Sequence, residues 1–265
     1  MNTALRLEKL QIGYFVQKQF KSLLSDISLQ FSLGELIAVV GANGTGKSTL
    51  LHTIAGLQDK KGEIYLFDKK IESYDVQTFS KKQSYVSTQY QVQAYTSVFD
   101  LIAKGRTVYL PWSGKLRIKD KDIIEKGAKL LGISHLLKRE YNTLSDGEKQ
   151  RSLMAMALVQ DTPIMLLDEP TAYIDFPNKY LITALLQDIA HQQEKCILFS
   201  SHDIEVVLSF ADKILLLGEN EISLILPEEL LKQENLKKLY HKTEIPSFLE
   251  NMIHNQLKNI NPYKK

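Results

Sequence analysis

The chain has 265 residues, of which 44% are apolar and 24% are charged, an ordinary balance for a globular protein. Its 33 Lys and Arg nearly offset its 31 Asp and Glu, and the net charge of +2 argues against a dedicated nucleic-acid-binding protein. The single cysteine, Cys196, excludes a disulfide framework and a cysteine-rich metal site, and its apolar surroundings predict that it is buried. We find neither a signal peptide nor a membrane-spanning stretch, and therefore expect a cytoplasmic protein that reaches a membrane only through a partner.

The first part of the chain contains short apolar runs separated by polar turns, which is typical of strands. Strands are predicted at residues 5–12, 26–31, 35–40 and 63–67, with a helix at 50–57. After residue 90 the pattern becomes helical, and helices are predicted at 98–104, 121–131 and 148–159.

Buried strands and helices alternate in the last third of the chain. The apolar runs 164–167 and 196–199 are continuous, as in buried parallel strands. Helices are predicted at 178–193, 204–210 and 227–240, the last with Leu230, Leu231 and Leu236 on its apolar side, and strands at 213–217 and 223–226. This alternation predicts an α/β fold with a central, largely parallel sheet, and the helical stretch between residues 91 and 160 is predicted to be an inserted subdomain.

The strongest functional signal is the run GANGTGKST at residues 41–49. It lies between a predicted strand and a predicted helix, which is the context that a phosphate-binding loop requires. Its glycines allow successive N–H groups to surround phosphate oxygens, and the helix start adds a positive dipole end. Lys47 supplies a positive charge for the β and γ phosphates, and the Ser48 hydroxyl suits Mg²⁺. The run predicts that the chain binds a nucleoside triphosphate.

Two carboxylates, Asp168 and Glu169, follow the predicted strand 164–167. Because ligands of an open α/β sheet bind at the carboxyl ends of its strands, we expect Asp168 to reach Mg²⁺, directly or through water. Glu169 is our candidate for the group that positions and deprotonates an attacking water. His202 follows the next predicted strand, where it would contact the γ phosphate or hold Glu169 and water in place.

A second segment of interest is LSDGEKQR at residues 144–151. Ser145 and Glu148 have the spacing of a capping box, which predicts that a helix begins there. Such a start exposes N–H groups, and Gly147 permits the close approach of an anion. Considered alone, the segment fits an ordinary capped surface helix better than an anion site.

In their order along the chain, these motifs resemble the ATP-binding-cassette (ABC) ATPases. The resemblance covers residues 5–225, and its most specific part is the LSxGE-type segment at 144–148. It implies a P-loop NTPase fold of the ABC type, with an N-terminal antiparallel β subdomain, a central and mainly parallel sheet, and a helical subdomain inserted at residues 90–160. Residues 1–225 would form the ABC ATPase domain, and residues 226–265 a C-terminal helical extension.

The resemblance also implies roles for individual residues. ATP would be bound by Tyr14, Gly41, Asn43, Gly44, Gly46, Lys47, Ser48 and Thr49. Mg²⁺ would be held by Ser48, Gln89 and Asp168, and catalysis would involve Lys47, Gln89, Glu169 and His202. Tyr14 would stack on adenine, although an ordinary tyrosine at the end of a strand is the alternative.

The same resemblance predicts a dimer. Ser145 and Gly147 would bind the γ phosphate held on the loop of a second copy of the chain, so that two ATP molecules lie in a head-to-tail dimer. Asp175 would belong to the loop that couples the two sites. The sequence departs from the family pattern at Ser87 and Thr88, where many relatives have a proline before the glutamine, and at Asp146, a position often held by glycine. Neither departure affects the expectation of ATP hydrolysis.

The type of ABC protein is indicated by the other segments that the chain contains or lacks beside these motifs. The chain carries one phosphate-binding loop and one LSxGE-type segment, without inserted coiled coils, a second cassette or a fused membrane span. This leaves a stand-alone subunit that serves separate transmembrane permease subunits, with a substrate-binding protein as an indirect partner and no nucleic acid.

The stretch SVFDLIAKGR at residues 97–106 resembles a segment of the ATPases that serve iron–siderophore, haem and cobalamin permeases. We therefore expect the ATPase of an iron-chelate or cobalamin importer, bound to its permease at the inner face of the cell membrane. The alternatives are the ATPase of another transporter class, for metal-ion import or for export, and a soluble ABC-type regulatory ATPase.

Overall fold

Two β-sheets with different strand arrangements form the framework of the chain. The computed structural model describes residues 3–17, 19–87 and 90–240. Its strands are β1 (Thr3–Val16), β2 (Gln19–Ser32), β3 (Leu36–Gly41), β4 (Lys60–Leu66), β5 (Lys69–Lys70), β6 (Gln83–Ser87), β7 (Ile164–Asp168), β8 (Cys196–Ser200), β9 (Lys213–Leu217) and β10 (Ile222–Ile225). Its α-helices are α1 (Lys47–Ile54), α2 (Val76–Ser80), α3 (Val98–Ala103), α4 (Ile118–Leu130), α5 (Asp146–Val159), α6 (Phe176–Gln192), α7 (Ile204–Phe210) and α8 (Gln233–Tyr240).

The larger sheet has the strand order β10-β9-β3-β8-β7-β6. Its inner pairs are all parallel, and only the edge strand β10 is antiparallel to its neighbour. Every residue of β3, β7 and β8 is buried, because helices and the second sheet cover both faces. The predicted central, mainly parallel sheet is therefore confirmed, and Cys196 at the start of β8 is buried as predicted.

The smaller sheet has the order β2-β1-β4-β5 and is antiparallel throughout. Its inner face packs on one side of the central sheet, where Leu5 and Leu7 of β1 share a core with Ile37 and Val39 of β3 and with apolar residues of α1. The predicted N-terminal antiparallel β subdomain is thus confirmed, and its packing fixes β1 close to the loop that follows β3.

Helices α3, α4 and α5 pack together in the segment between β6 and β7, as the helical pattern predicts. Two glycines allow this close packing. A Cβ atom on Gly105 would lie 2.2 Å from the Met156 carbonyl oxygen, and one on Gly127 would lie 2.5 Å from a methyl group of Val159. The longest described helix, α6, has 17 residues, and no helix in residues 3–17, 19–87 and 90–240 has the length and apolar character needed to cross a bilayer.

Several predicted elements differ from the observed ones. Strands β1 and β2 extend beyond their predicted bounds, and residues 13–16 pair with residues 19–22. Strand β6 was not predicted, because its Gln83 and Ser84 are polar yet buried; the side chains bond to the Ile54 carbonyl and the Thr162 hydroxyl. The first helix runs over Lys47–Ile54, so it begins near Lys47 as the phosphate-binding loop predicts, and the helical pattern at 50–57 places its end three residues too late.

The predicted single helix at 227–240 was also wrong. A 3₁₀ helix covers Pro227–Leu231, and α8 begins only at Gln233, because Lys232 between them is extended, with φ −62° and ψ 137°. The apolar side was predicted correctly, since Leu230 and Leu236 are buried and Leu231 packs against the core. The remainder of the predicted C-terminal extension, residues 241–265, lies outside the described residues.

The helical segment contains a buried ion pair that generates a stability prediction. Arg106 Nε lies 3.1 Å from Asp120 Oδ1, and both side chains are over nine-tenths buried. Arg106 also donates to the Val159 carbonyl oxygen at 2.7 Å. We expect Asp120→Ala to lower the free energy of unfolding by about 3–5 kcal/mol, because the guanidinium charge stays buried without its counter-ion. Urea denaturation followed by circular dichroism measures this. Glu221→Ala, which removes the exposed partner of Lys238, is the control and should cost less than about 1 kcal/mol; equal losses would contradict the prediction.

Candidate functional site

The carboxyl ends of three neighbouring parallel strands bring the predicted site residues together. Strands β3, β8 and β7 are adjacent in that order, with Val39 paired to Ser200 and Leu167 paired to Phe199. The loops that follow them, 41–46, 201–203 and 169–175, therefore open at the same edge of the sheet. This is the edge at which ligands of such sheets bind.

The loop after β3 has the backbone that its glycines allow. Gly44 and Gly46 adopt φ values of +83° and +99°, in the left-handed region that other residues avoid. Gly41 is needed for space, because a Cβ atom there would lie 2.6 Å from the Leu217 carbonyl oxygen and 2.7 Å from Thr45 Oγ1. The Thr45 hydroxyl closes the loop by donating to the Ala42 carbonyl oxygen at 2.9 Å.

Helix α1 begins at Lys47 without a capping side chain. The first N–H groups of a helix have no acceptor within it, so those of Lys47, Ser48 and Thr49 are available to an external anion. Ser48 is exposed at this start, and Asn43 and Gly44 are exposed in the loop. A cavity of about 270 Å³ lies alongside, lined by Val40, Gly41, Ala42, Asn43, Ser201, His202, Ile204 and Leu239.

The Lys47 side chain is buried against this loop. Its ammonium group donates to the carbonyl oxygens of Gly41 at 2.8 Å and Ala42 at 3.0 Å. Burial lowers the pKa of Lys47, while the negative charges of Glu169 and Asp168 act in the opposite direction. The ammonium group is thus held between the glycine-rich loop and the two carboxylates, without a direct ion pair to either.

A serine hydroxyl organises the acidic pair. Ser200 Oγ donates to Asp168 Oδ1 at 2.6 Å and accepts the backbone N–H of Glu169 at 2.8 Å. Asp168 is 7% exposed and Ser200 is fully buried. The hydroxyl therefore fixes the orientation of one carboxylate and the main-chain position of the residue that carries the other.

Glu169 and His202 are in direct contact. His202 Nε2 lies 3.1 Å from Glu169 Oε1, and both side chains are open to solvent over about two-fifths of their surface, 45% and 40%. Glu169 itself has a φ of +53°, a left-handed conformation that costs a residue with a side chain roughly 1–2 kcal/mol. Unusual backbone of this kind is concentrated at functional sites.

Tyr14 lies on β1 two residues after the buried Ile12, past an irregularity in the strand register between Ile12 and Gly13. A Cβ atom on Gly46 would be 3.5 Å from the Ile12 side chain, so this end of β1 adjoins the phosphate-binding loop. The Tyr14 side chain is 40% exposed, and the neighbouring Gly13 carbonyl oxygen accepts a hydrogen bond from Gln58. The stacking of the Tyr14 ring on adenine stays a prediction.

The capping box predicted at the start of α5 is present. Glu148 Oε2 accepts from the Ser145 N–H at 2.8 Å, and Ser145 Oγ caps the Glu148 N–H. Ser145 is exposed, and a Cβ atom on Gly147 would lie 3.5 Å from the Tyr173 carbonyl oxygen. Across the described ranges, no hydrogen bond joins Ser145 or Gly147 to the loop at 41–49 of the same chain.

Two further predicted residues have different outcomes. Asp175 is exposed at the N-cap of α6, and its Oδ1 accepts from Asn178 Nδ2 at 2.6 Å. It lies in the same loop as Tyr173, close to the start of α5. Gln89, predicted for Mg²⁺ binding and catalysis, lies outside the described residues.

The structure adds two residues that the sequence analysis did not assign, Ser200 and Gln150. Ser200 could have been found by aligning the apolar runs of β7 and β8, since the residue beside Asp168 on a parallel neighbour points to the same side. Gln150 donates through its side chain to the Glu169 carbonyl oxygen at 3.2 Å. This contact joins residues 19 positions apart, and no local pattern reveals it.

These groups suit a magnesium-bound triphosphate. Free N–H groups at a helix start and a buried ammonium group complement phosphate oxygens. The Ser48 hydroxyl and the Asp168 carboxylate are oxygen ligands of the kind that Mg²⁺ requires.

Comparison with known proteins agrees with this chemistry. The family model described as ABC transporter matches residues 24–172, more than half of the chain. The molybdate import ATP-binding protein MolC of Haemophilus influenzae is 32% identical over 241 residues, which cover 91% of this chain and 89% of that protein. The chain belongs to the ABC transporter family.

The relatives of this ABC protein differ in the compounds after which they are named. The ferric enterobactin transport ATP-binding protein FepC of Escherichia coli is 29% identical over 238 residues, which cover 89% of this chain and 86% of that protein. A solved structure described as an inward-facing, metal-chelate type ABC transporter has a TM-score of 0.76 and 29% identity, covering 91% of this chain and 90% of that one. The ABC fold and the identity of the chain as an ABC-type ATPase, predicted from the motifs, are confirmed.

The Gly41 packing generates a prediction for nucleotide binding by this ABC ATPase. We expect Gly41→Ala to lower the free energy of unfolding by about 1–3 kcal/mol and to weaken ATP binding, because the added methyl group displaces the loop from Leu217 and Thr45. Thermal unfolding and titration with a fluorescent ATP analogue measure the two effects.

Gly34→Ala is the matched control, since Gly34 has a φ of +81° but open space around it and lies in the turn before β3. It should lose about 1–2 kcal/mol of stability while ATP affinity stays unchanged. Normal ATP affinity in Gly41→Ala would contradict the prediction.

Proposed function

We propose that this chain is the ATPase subunit of an ABC importer, which binds ATP and Mg²⁺ at the edge where β3, β8 and β7 end. The observation that carries the proposal is the meeting of Lys47, Asp168 and the Glu169–His202 pair at that edge. The loop residues Gly41, Asn43, Gly44, Gly46, Ser48 and Thr49 would surround the phosphates, and Tyr14 would contact the adenine ring.

Ser48 and Asp168 would hold Mg²⁺, together with Gln89, whose placement is not described. When bound, the ion neutralises negative charge on the phosphate oxygens. The site is preorganised, because the Ser200 hydroxyl donates to Asp168 Oδ1 and so fixes the direction of the second carboxylate oxygen, Oδ2. Lys47 would exchange its bonds to the Gly41 and Ala42 carbonyl oxygens for bonds to phosphate.

Glu169 would act as the general base. Its carboxylate is open to solvent over 40% of its side-chain surface, so water can reach it. The contact with His202 Nε2 would hold Oε1 in one orientation, which leaves Oε2 to accept the proton of the attacking water. His202 would therefore act on the orientation of Glu169, and it also lines the cavity beside the phosphate-binding loop.

A second copy of the chain would complete each site. Ser145 and Gly147 lie at the start of α5, make no described hydrogen bond to their own phosphate-binding loop, and are placed to meet a γ phosphate from another copy. Asp175 is exposed in the loop next to this start. We propose the head-to-tail dimer in which two ATP molecules lie between the phosphate-binding loop of one copy and α5 of the other.

The transported compound is proposed as an iron chelate or cobalamin. The segment 97–106, which contains α3, carries the resemblance to that class, and the metal-chelate type neighbour agrees with it. The competing assignment is the ATPase of another metal importer, because one relative is named for the import of molybdate.

Separate permease subunits would hold the dimer at the inner face of the membrane, with a substrate-binding protein outside. Residues 1–225 would form the ATPase domain, and residues 226–265 an extension.

The roles proposed for Glu169 and Lys47 predict that substitution of each residue impairs a different step, ATP hydrolysis for Glu169 and ATP binding for Lys47. Glu169→Gln should bind ATP with near-normal affinity, lose turnover by at least about 100-fold, and accumulate as an ATP-bound dimer in size-exclusion chromatography, because the amide cannot accept the water proton. Lys47→Ala should instead bind ATP weakly, because it removes the positive charge at the loop. Normal turnover in Glu169→Gln would remove Glu169 from this role, and unchanged ATP affinity in Lys47→Ala would refute the loop assignment.

The importer assignment predicts a membrane partner. The tagged chain, purified from detergent-solubilised membranes of its own cells, should retain a multi-span permease of the siderophore or cobalamin type, identified by mass spectrometry. A permease of a molybdate or metal-ion type would change the proposed substrate. Recovery of a fully active ATPase without any membrane partner would favour a soluble regulatory ATPase and refute the importer.

A further inference from the structure

The side chain of Gln150 connects two parts of the molecule that carry different predicted roles. Gln150 lies on α5, five residues after Ser145, and is 3% exposed. The Gln150 side chain extends from the helix, and its Nε2 donates to the main-chain carbonyl oxygen of Glu169 at 3.2 Å. A partly buried hydrogen bond thus joins the helix that begins at the LSxGE-type segment to the proposed general base.

The main chain of Glu169 needs such support because its conformation is unfavourable. The residue has a φ of +53°, which persists only where surrounding contacts hold it. Its N–H donates to Ser200 Oγ at 2.8 Å, and its carbonyl oxygen accepts from the Ala172 N–H at 3.1 Å as well as from Gln150. The residue is therefore held from β8 on one side and from α5 on the other.

The two supports have different origins in the fold. Ser200 belongs to the central sheet and moves with Asp168. Gln150 belongs to the helix that packs against α3 and α4, where Gly105 and Gly127 bring the helical segment into close contact with α5. A shift of α5 relative to the sheet would change the Gln150 contact and leave the Ser200 contact intact.

We propose that Gln150 is a positioning residue, whose amide ties the orientation of α5 to the position of the Glu169 carboxylate. The carbonyl oxygen of Glu169 lies on the same residue as the carboxylate, so release of that oxygen lets the side chain swing about the Cα atom. Misplacement of a catalytic group by about 1 Å costs on the order of 100-fold in rate. The inference rests on the proposed role of Glu169 and adds a link from the helical segment to it.

The experiment uses Gln150→Met, which keeps the length and shape of the side chain but removes the N–H donor. The matched control is Gln160→Met, at the C-cap of α5, where the amide donates to the carbonyl oxygens of Ser80 at 2.7 Å and Gln83 at 3.3 Å. Both changes remove a partly buried side-chain bond to the main chain, one from α5 and one from its C-cap, and only the first touches Glu169. Gln150→Glu, which keeps the side-chain shape and loses the donor when ionised, is made as a second variant in case Gln150→Met does not fold.

We expect Gln150→Met to lower kcat about tenfold while KM for ATP stays within about threefold, since the change acts on the carboxylate and not on nucleotide binding. In the nucleotide-free protein, amide hydrogen exchange in the peptide covering residues 166–175 should become faster, because the Glu169 turn has lost a bond. Gln160→Met should show neither effect, whatever it does to the melting temperature.

Unchanged kcat and unchanged exchange in both Gln150 variants would overturn the proposal. Equal losses of kcat in Gln150→Met and Gln160→Met would also overturn it, because they would indicate a structural role alone. The proposed function fails separately, by normal turnover in Glu169→Gln; turnover lost there but retained in Gln150→Met would leave the general base in place and refute only the link to α5.

Discussion

The site depends on the register of three parallel strands. Val39 of β3 pairs with Ser200 of β8, and Leu167 of β7 pairs with Phe199, so that Asp168 lies level with Ser200 and Gly41 follows two residues further along at the same edge. The strands hold this register because each is apolar up to its last residue and is buried on both faces. A shift by one residue would turn the Asp168 side chain to the opposite face of the sheet.

Charge balance at this edge is built into the same arrangement. The Lys47 ammonium group is buried, which lowers its pKa, and the charges of Glu169 and Asp168 partly offset that effect. The direct partners of the Lys47 ammonium group are the neutral carbonyl oxygens of Gly41 and Ala42. Lys47 can therefore exchange these hydrogen bonds for bonds to phosphate without breaking an ion pair. The Asp168 and Glu169 carboxylates contact Ser200 and His202 respectively, and neither forms an ion pair with Lys47. The edge therefore presents separated positive and negative groups, as a magnesium-bound triphosphate requires.

Features that depend on a few neighbouring residues could be predicted from the sequence. The turn at 41–46, the helix start at Lys47 and the capping box at Ser145 follow from local chemistry, and the structure contains all three. The two sheets and the inserted helices followed from hydrophobic patterns and from the resemblance. Strand β6 could not be predicted, because the side chains of its buried Gln83 and Ser84 form hydrogen bonds with residues 29 and 78 positions away. The contacts of Ser200 and Gln150 with Glu169 depend on the tertiary arrangement in the same way.

The capping box at the start of α5 sets a condition on the proposed dimer. Ser145 Oγ donates to Glu148 Oε2 at 2.9 Å and accepts the Glu148 N–H at 3.4 Å. The hydrogen bonds that the Glu148 carboxylate accepts from the Ser145 N–H and from the Ser145 hydroxyl lower the pKa of Glu148. A phosphate from a second copy would accept the same hydroxyl proton, so it must replace the bond to Glu148. The exchange costs little, because the Glu148 carboxylate keeps the Ser145 N–H as a partner at 2.8 Å. In the proposed dimer, the box would therefore hold the helix start in shape before the phosphate binds, and the serine hydroxyl would then turn from Glu148 to the phosphate.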